Sequence, residues 1–347
     1  MNMMKGVVFP GNKQVHIKDF PIPTPGPNEV LIQMKASAIC RSDMSLYDGN
    51  PVVGGETAKT GCHIPGHEPA GLVVGTGEDV TSIKLGDRVA VYLAIGCGEC
   101  SHCKSGYMMF CSSWKCVGFD LHGGNADYIV VPEKNCMKLP DELSYISAAV
   151  STDSVGTLYH AQKRLQISGK DTLVIFGLGP MGGAGILVAK AMGATVIAVD
   201  MIEERLQLAK TELGADYIIN GSTENAVSRI REITGNRGAD ASIDCSGSPI
   251  AENQALDCVR PHGRVAFIGE SRESTIRPSD QLIRKQITLM GSWYFPIQEY
   301  EEITEFIVRK QIPVEKLVTH TFQLDEAEKA FQLFDQRKTE KAVFVWE

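Results

Sequence analysis

Residues 171–200 admit few folds. Asp171-Thr172-Leu173-Val174-Ile175-Phe176 is an apolar run of strand length, and Gly177-Leu178-Gly179-Pro180-Met181-Gly182-Gly183 follows it directly. Small, helix-compatible residues fill 184–192, and a second apolar strand at 195–199 ends in Asp200. Strand, glycine turn, helix, strand and acid in that order form the dinucleotide-binding fingerprint. Its glycines let the backbone approach a pyrophosphate, and the helix start supplies donors to it. Gly177, Gly179, Pro180, Met181 and Gly182 are therefore candidate cofactor contacts. Asp200 is placed to accept hydrogen bonds from an adenosine ribose and to repel a 2'-phosphate, which favours NAD over NADP. Arg205 is the nearby residue that could blur this preference, although Glu203-Glu204-Arg205 also reads as a surface ion pair.

The alternation continues beyond Asp200. Strands are expected at 216–219, 239–244, 263–269 and 288–294, and helices at 223–234, 250–259 and 299–309. Such repeats predict a mostly parallel sheet with helices on both faces. Ligands of these sheets bind beyond the carboxyl ends of the strands, so Cys245, Ser246, Ile268 and Gly269 are further cofactor candidates. Trp293 and Tyr294 border either the cofactor or a neighbouring subunit.

The first half has a different texture. Short strands at 4–9, 15–20 and 30–39 are broken by Pro21, Pro23, Pro25 and Pro27, which is barrel or sandwich composition. Cys40 closes the third strand at the start of a short helix, where orphan backbone donors favour a thiolate. Ser42 offers a hydroxyl for proton transfer, and Tyr47 either lines a pocket or fills the core. Gly66-His67-Glu68 places an imidazole beside a carboxylate, a pair that binds metal only in suitable company. Asp153 follows a helix expected to begin near 140–144; a carboxylate in that apolar context needs a partner, and a helix cap is the plain alternative. Thr157 and His160 fall on the same helix.

Ten cysteines do not read as a disulfide framework, because four are crowded together. Cys97, Cys100 and Cys103 are spaced by three and Cys111 follows closely, the pattern of a closed structural zinc site in a lobe at about 94–115. An iron–sulfur cluster is chemically allowed but would have no electron path. His102 reads as a loop residue, and Cys62, Cys116 and Cys136 as ordinary thiols. The chain has 34 basic and 42 acidic residues, a formal charge of -8 and no basic tract, so nothing argues for nucleic acid or an anionic membrane. No apolar run is long enough to span a bilayer. A cytoplasmic, reducing setting is expected.

Together these motifs resemble the zinc-dependent medium-chain alcohol and polyol dehydrogenases, including the sorbitol and threonine dehydrogenase-like members, over essentially the whole chain. The resemblance rests on Gly66-His67-Glu68 with Gly71, Gly77 and Val80, on the cysteine quartet, and on Gly177, Gly179, Gly182 with Asp200. It implies an α/β protein: a GroES-like β-rich catalytic domain at 1–150 and 306–347, and a Rossmann NAD-binding domain at 151–305, with catalytic zinc in the cleft between them. Cys40 and His67 match constant zinc ligands. Glu68 matches a carboxylate that binds zinc in some members and stands behind it in others, and Asp153 matches a variable third ligand. Ser42 matches the proton-relaying hydroxyl, and Thr157 and Met181 match nicotinamide contacts.

A single thiolate in the set looks more like the polyol and secondary-alcohol enzymes than the primary-alcohol ones. One departure is Ser45, where many relatives carry a relay histidine. The implied reaction is reversible hydride transfer between a secondary alcohol or polyol and NAD, giving a ketone, in a homotetramer or homodimer. The alternative is an NADP-linked reductase of apolar alcohols and aldehydes; a zinc hydrolase and a non-catalytic nucleotide-binding protein stand behind it. Tyr47, Trp114, Phe119 and Trp293 would suit an apolar substrate, whereas Arg41, Ser45 and Glu68 would suit a hydroxylated one.

Overall fold

The computed structural model describes residues 2–50, 61 and 63–347. Cys62, expected to be an ordinary thiol, lies outside the described residues. The chain divides into two units, Met1–Asp153 with Phe295–Arg309 and Val318–Glu347, and Ser154–Tyr294 with Lys310–Leu317. The carboxyl-terminal return to the first unit thus begins at Phe295, breaks off for Lys310–Leu317 and resumes at Val318. Among the described residues no helix is long and apolar enough to cross a membrane.

The first unit is a mostly antiparallel β assembly, with Val318–Phe322 paired parallel to Lys341–Val345, consistent with its proline-broken strands. Its sheet runs in the order Val318–Phe322, Lys341–Val345, Glu29–Ile39, Glu68–Thr76, Arg88–Val91, Cys136–Lys138. Glu29–Ile39 is the hub, because its amino-terminal half also pairs with Tyr128–Pro132 while its carboxyl-terminal end pairs with Lys341–Val345. One long strand serving two partners on the same edge must bend, which curls the sheet. Val30, Ile32, Met34, Val73, Val89, Val91, Ile129 and Val131 fill its core. At the expected helix start, Ser144 caps Tyr145–Val150 by accepting a 3.0 Å hydrogen bond from the Ser147 N–H.

The second unit is a six-stranded parallel sheet. Its order is Tyr217–Asn220, Thr195–Asp200, Thr172–Phe176, Ala239–Asp244, Val259–Phe267, Thr288–Gly291. Chain order reverses on either side of Thr172–Phe176, so the glycine turn follows the strand at the topological switch point, where such sheets bind ligands. The last strand stops at Gly291, short of the expected residue 294. Tyr294 instead takes a left-handed backbone conformation, φ 58°, which no strand accommodates.

Candidate active site

Three adjacent strands and one helical turn deliver the first-unit site. Ala38 pairs with Glu68 and Ile39 with Ala342, so Cys40, His67 and Lys341 fall at neighbouring strand ends. Beyond Cys40 the chain turns into the Asp43–Tyr47 helix, with Ser42 at its N-cap but making no side-chain cap bond. Asp153 arrives from elsewhere. It is not a helix cap: it sits in the π-helical turn Ser151–Val155, between Tyr145–Val150 and Gly156–Arg164. The one extra residue in that turn re-aims a side chain, a recurrent feature of functional sites.

The four groups converge. One donor atom from each of Cys40, His67, Glu68 and Asp153 lies within 4.8 Å of the others. Cys40 Sγ is 3.2 Å from Asp153 Oδ2, His67 Nε2 is 3.6 Å from the same oxygen, and Ser42 Oγ is 3.3 Å from His67 Nε2. Asp43, buried, turns the imidazole: its Oδ1 lies 3.0 Å from His67 Nδ1, while Oδ2 accepts the Cys40 N–H at 2.9 Å. That leaves Nε2 for a metal, the usual arrangement of a metal-ligating histidine. Lys341, fully buried, donates to Glu68 Oε1 at 2.5 Å. Neither Asp43 nor Lys341 stands out in the sequence; the signals are an acid three residues after Cys40 and a lysine opening an apolar strand.

The electrostatics of the cluster call for a cation. Burial, with the Asp153 charge, pushes the Cys40 thiol up, so the helix start does not make it a thiolate unaided. Burial opposes charge on His67, yet the Asp43 carboxylate and bonds with Asp153 and Asp43 outweigh it and hold the imidazole well above its ordinary value. Desolvation opposes charge on half-buried Asp153 as well, but its His67 bond wins and its carboxyl lies far below the usual range. At Glu68 burial outweighs Lys341 and pushes the carboxyl up to about 8, whereas at Lys341 the Glu68 charge outweighs burial and raises the ammonium. The 2.5 Å contact is that of an ion pair, and a metal beside it would favour ionised Glu68 further. Glu68 Oε2 is buried with no hydrogen-bond partner. One sulfur, one imidazole and two carboxylates, one oxygen of them bare, fit zinc chemically.

The cysteine quartet is a second donor set, with its four Sγ atoms within 4.8 Å of one another. Cys97 and Cys103 sulfurs stand 3.9 Å apart. A disulfide needs about 2.05 Å, whereas the edge of a tetrahedron with 2.3 Å zinc–sulfur bonds is about 3.8 Å. Cys111 is drawn down to about 6 by its Ser113 hydrogen bond and the Cys97 N–H. His102 is exposed on the short Ser101–Lys104 helix, as a loop-type residue should be.

In the second unit, Gly177 has φ 82°, and a Cβ on Gly182 would lie 1.9 Å from the Gly177 carbonyl oxygen. The turn therefore closes only with glycine at both places. Pro180 opens the Pro180–Ala191 helix behind Gly179, an N-cap without a side chain, leaving the helix-start amides for an anion. Asp200 ends its strand and accepts the Leu178 N–H at 2.6 Å through Oδ2, and the Met201 and Ile202 N–H groups through Oδ1. It thus also clamps the turn to the neighbouring strand. Met181 is half-buried in the first turn of the helix, and the Arg205 guanidinium lies 3.7 Å from a Cβ built on Gly179. Ser246 abuts Gly177 and Gly269 abuts Gly247, so Cys245, Ser246, Ile268 and Gly269 gather at the strand ends. Thr157 is buried on the Gly156–Arg164 helix.

Residues 180–309 match the family model described as zinc-binding dehydrogenase, and residues 26–141 match the alcohol dehydrogenase GroES-like domain. An uncharacterized zinc-type alcohol dehydrogenase-like protein of Escherichia coli K12 is 36% identical over 350 residues, covering 99% of both chains. The chain belongs to the zinc-binding medium-chain dehydrogenase/reductase family. Another relative is the L-threonine 3-dehydrogenase of Pyrococcus furiosus, 36% identical over 338 residues and 93% of each chain. The crystal structure described as a short chain alcohol dehydrogenase from Escherichia coli CFT073, complexed with NADH, superposes with TM-score 0.88 at 28% identity over 100% of both chains. This medium-chain dehydrogenase is accordingly a zinc-dependent, NAD(P)-linked oxidoreductase with a GroES-like and a Rossmann-like domain.

One expectation needs correction within this family frame. Tyr47 does not line a pocket: it is buried with its ring 5.7 Å from Phe9 and 6.1 Å from Phe331, because the Asp43–Tyr47 helix turns that face into the core. Phe119, by contrast, is an aromatic beside the donor set, 5.4 Å from the His67 ring.

Proposed function

We infer that the enzyme transfers hydride reversibly between a secondary alcohol or polyol and NAD, giving a ketone. The observation that carries this reading is the convergence of Cys40, His67, Glu68 and Asp153 with the Ser42 hydroxyl at 3.3 Å from His67 Nε2. Cys40, His67 and Asp153 would hold zinc, with Glu68 as the exchangeable fourth group, and the quartet would hold a structural zinc. Bound zinc supplies Lewis acidity that lowers the pKa of a substrate hydroxyl, and NAD supplies the hydride acceptor.

The remaining chemistry belongs to side chains. Asp43 fixes the His67 ring through Nδ1 and the Cys40 backbone through its N–H, holding two donors in one geometry. Ser42 Oγ is placed to take the hydroxyl proton. Ser45 Oγ, donating to the Ser42 carbonyl at 2.7 Å, steadies that segment where relatives carry a relay histidine. The Phe119 ring packs beside His67, the centroids 5.4 Å apart. Asp200, placed for ribose hydroxyls, supports NAD over NADP.

The single thiolate of the donor set, the pattern of polyol and secondary-alcohol enzymes, supports a hydroxylated secondary alcohol. The threonine dehydrogenase relatives add a secondary alcohol carrying ammonium and carboxylate groups to the candidates. The test is cofactor reduction by zinc-loaded enzyme with NAD+ and NADP+ across apolar secondary alcohols, vicinal diols, polyols, cyclitols and L-threonine. Turnover of one hydroxylated substrate with NAD+ is expected. Activity confined to apolar alcohols, or to NADP+, would overturn the substrate or the cofactor assignment respectively.

A further inference from the structure

We propose that Tyr300 is a positioning residue that holds Asp153 in the donor set, and that the cysteine-quartet lobe acts on Asp153 through it. This rests on the reading of Cys40, His67, Glu68 and Asp153 as a zinc site. All the groups concerned belong to the first unit, which takes in Met1–Asp153 and Phe295–Arg309.

The helix Tyr145–Val150 runs directly into the π-helical turn Ser151–Val155, and the winding changes at its last carbonyls. Three successive carbonyls there each accept a side-chain hydroxyl: Ser147 from Ser151 Oγ at 2.6 Å, Ala148 from Tyr300 Oη at 3.2 Å, and Ala149 from Thr152 Oγ1 at 2.7 Å. Hydroxyls that bond to helix carbonyls compete with the ladder and bend it, and a side chain inserted there is a common cause of a kink. Ser151 and Thr152 do this from within the turn, so they travel with it. Tyr300 lies 152 residues further along the chain and ties the middle carbonyl to a separate helix, Glu299–Lys310. Of the three bonds it is therefore the one that fixes where the turn sits. The turn in turn carries the Asp153 carboxylate, 3.2 Å from Cys40 Sγ and 3.6 Å from His67 Nε2.

Tyr300 is itself held by the quartet lobe. It is buried, its ring stacks on Phe295 with centroids 6.3 Å apart, and Phe295 meets the Tyr92 ring edge-on at 5.7 Å. The buried Tyr92 hydroxyl donates to the Phe295 carbonyl and lies 3.4 Å from the Gly106 carbonyl, inside the lobe. The Gly106 carbonyl also accepts the Ile297 N–H at 3.1 Å, and a Cβ on Gly106 would collide with the Gln298 amide. The lobe is thus clasped to residues 295–298, immediately ahead of Tyr300. Gly106 falls between Cys103 and Cys111, so the shape the quartet takes around a metal sets where that carbonyl is presented. Packed rings and hydrogen bonds then run unbroken from Gly106 to the turn that carries Asp153, and the two donor sets share no residue.

The probe is cobalt(II) in the Cys40 site of enzyme that keeps zinc in the quartet, its visible thiolate band identified by loss in Cys40→Ser. Affinity is read by competition with a colourless chelator. Tyr300→Phe deletes only the hydroxyl, and is expected to weaken cobalt by roughly two- to tenfold, the scale of one hydrogen bond, and to shift the ligand-field bands. In an Asp153→Asn background the same change should have no further effect, because Tyr300 acts through that carboxylate. A merely stabilising tyrosine would lower thermal stability and leave cobalt affinity and bands alone. Tyr92→Phe, which loosens the lobe, should weaken cobalt too, and the two losses should combine less than additively. Unchanged affinity and bands in Tyr300→Phe, or an equal loss with and without Asp153, overturns the positioning role. No loss in Tyr92→Phe, or full additivity with Tyr300→Phe, overturns the link to the lobe. If Tyr300→Phe does not fold, Tyr92→Phe decides: a loss that vanishes in Asp153→Asn supports the proposal, and no loss, or one that persists there, overturns it. Absence of any Cys40-dependent cobalt band would overturn the zinc reading itself, and this proposal with it.

Discussion

At the scale of single residues, the site depends on side chains that no motif announces. Asp43 is one of three polar residues following Cys40 and reads as a helix-start acid; its buried bonds to His67 Nδ1 and the Cys40 N–H exist only because two strand ends meet. Lys341 likewise looks like a solvated charge at a strand start and is fully buried. Both support the donors rather than supply them, and support depends on contacts distant in sequence. Asp43→Asn keeps the shape but removes the charge that orients the imidazole. It is expected to weaken zinc at the Cys40 site by roughly 10- to 100-fold, measured by competition with a chromophoric chelator, with circular dichroism unchanged. Native zinc affinity in this variant would assign Asp43 to packing alone.

At the scale of elements, the glycine turn was legible because its geometry is local. Gly177 needs its positive φ, Gly182 must lie against the Gly177 carbonyl, and the Pro180 helix must start at once. Gly182→Ala puts a methyl 1.9 Å from that carbonyl oxygen, so the helix start must shift. NADH affinity is expected to fall by at least roughly tenfold, about 1.4 kcal/mol, by fluorescence titration, while zinc content stays unchanged; native NADH affinity would falsify the turn's role. The helix through Asp153 was less legible. Its sequence shows a carboxylate in apolar surroundings, but not the π-helical turn at Ser151–Val155 that carries it towards Cys40 and His67. In that turn Ser151 Oγ donates to the Ser147 carbonyl at 2.6 Å and Thr152 Oγ1 to the Ala149 carbonyl at 2.7 Å, local bonds that bend a helix without any hydrophobic period announcing them.

At the scale of the whole molecule, the parallel sheet is tied across strands by Asp240. Its Oδ2 accepts the Thr172 N–H at 2.8 Å, and its Oδ1 accepts from Arg237 and from Arg260, both at 2.7 Å. Burial alone would raise this carboxyl, but the Arg237 and Arg260 bonds outweigh it and hold it down at about 2 against an ordinary 3.8. A depressed carboxyl stabilises the fold above its unfolded pKa and loses that contribution as pH falls towards its folded value. Asp240→Asn should therefore lower stability at neutral pH by about 1–2 kcal/mol, Arg237 being half exposed and screened. The gap from the native chain should narrow between about pH 4 and 2 in urea unfolding; a gap independent of pH would remove Asp240 from this role. Sequence by itself determined what periodicity and close spacing can carry: two fold textures, the parallel sheet with its glycine turn, and the cysteine quartet; the candidate set Cys40, His67, Glu68 and Asp153 came from the family resemblance that those motifs support. Tertiary structure alone decided which groups share a site, turning Tyr47 into core, Asp43 into the histidine's orienting partner, and Lys341 into the buried counter-charge of Glu68. The division follows from range: a turn or a sulfur cluster is specified within a few residues, whereas the field around a metal is assembled by sheet register across 300 residues of chain.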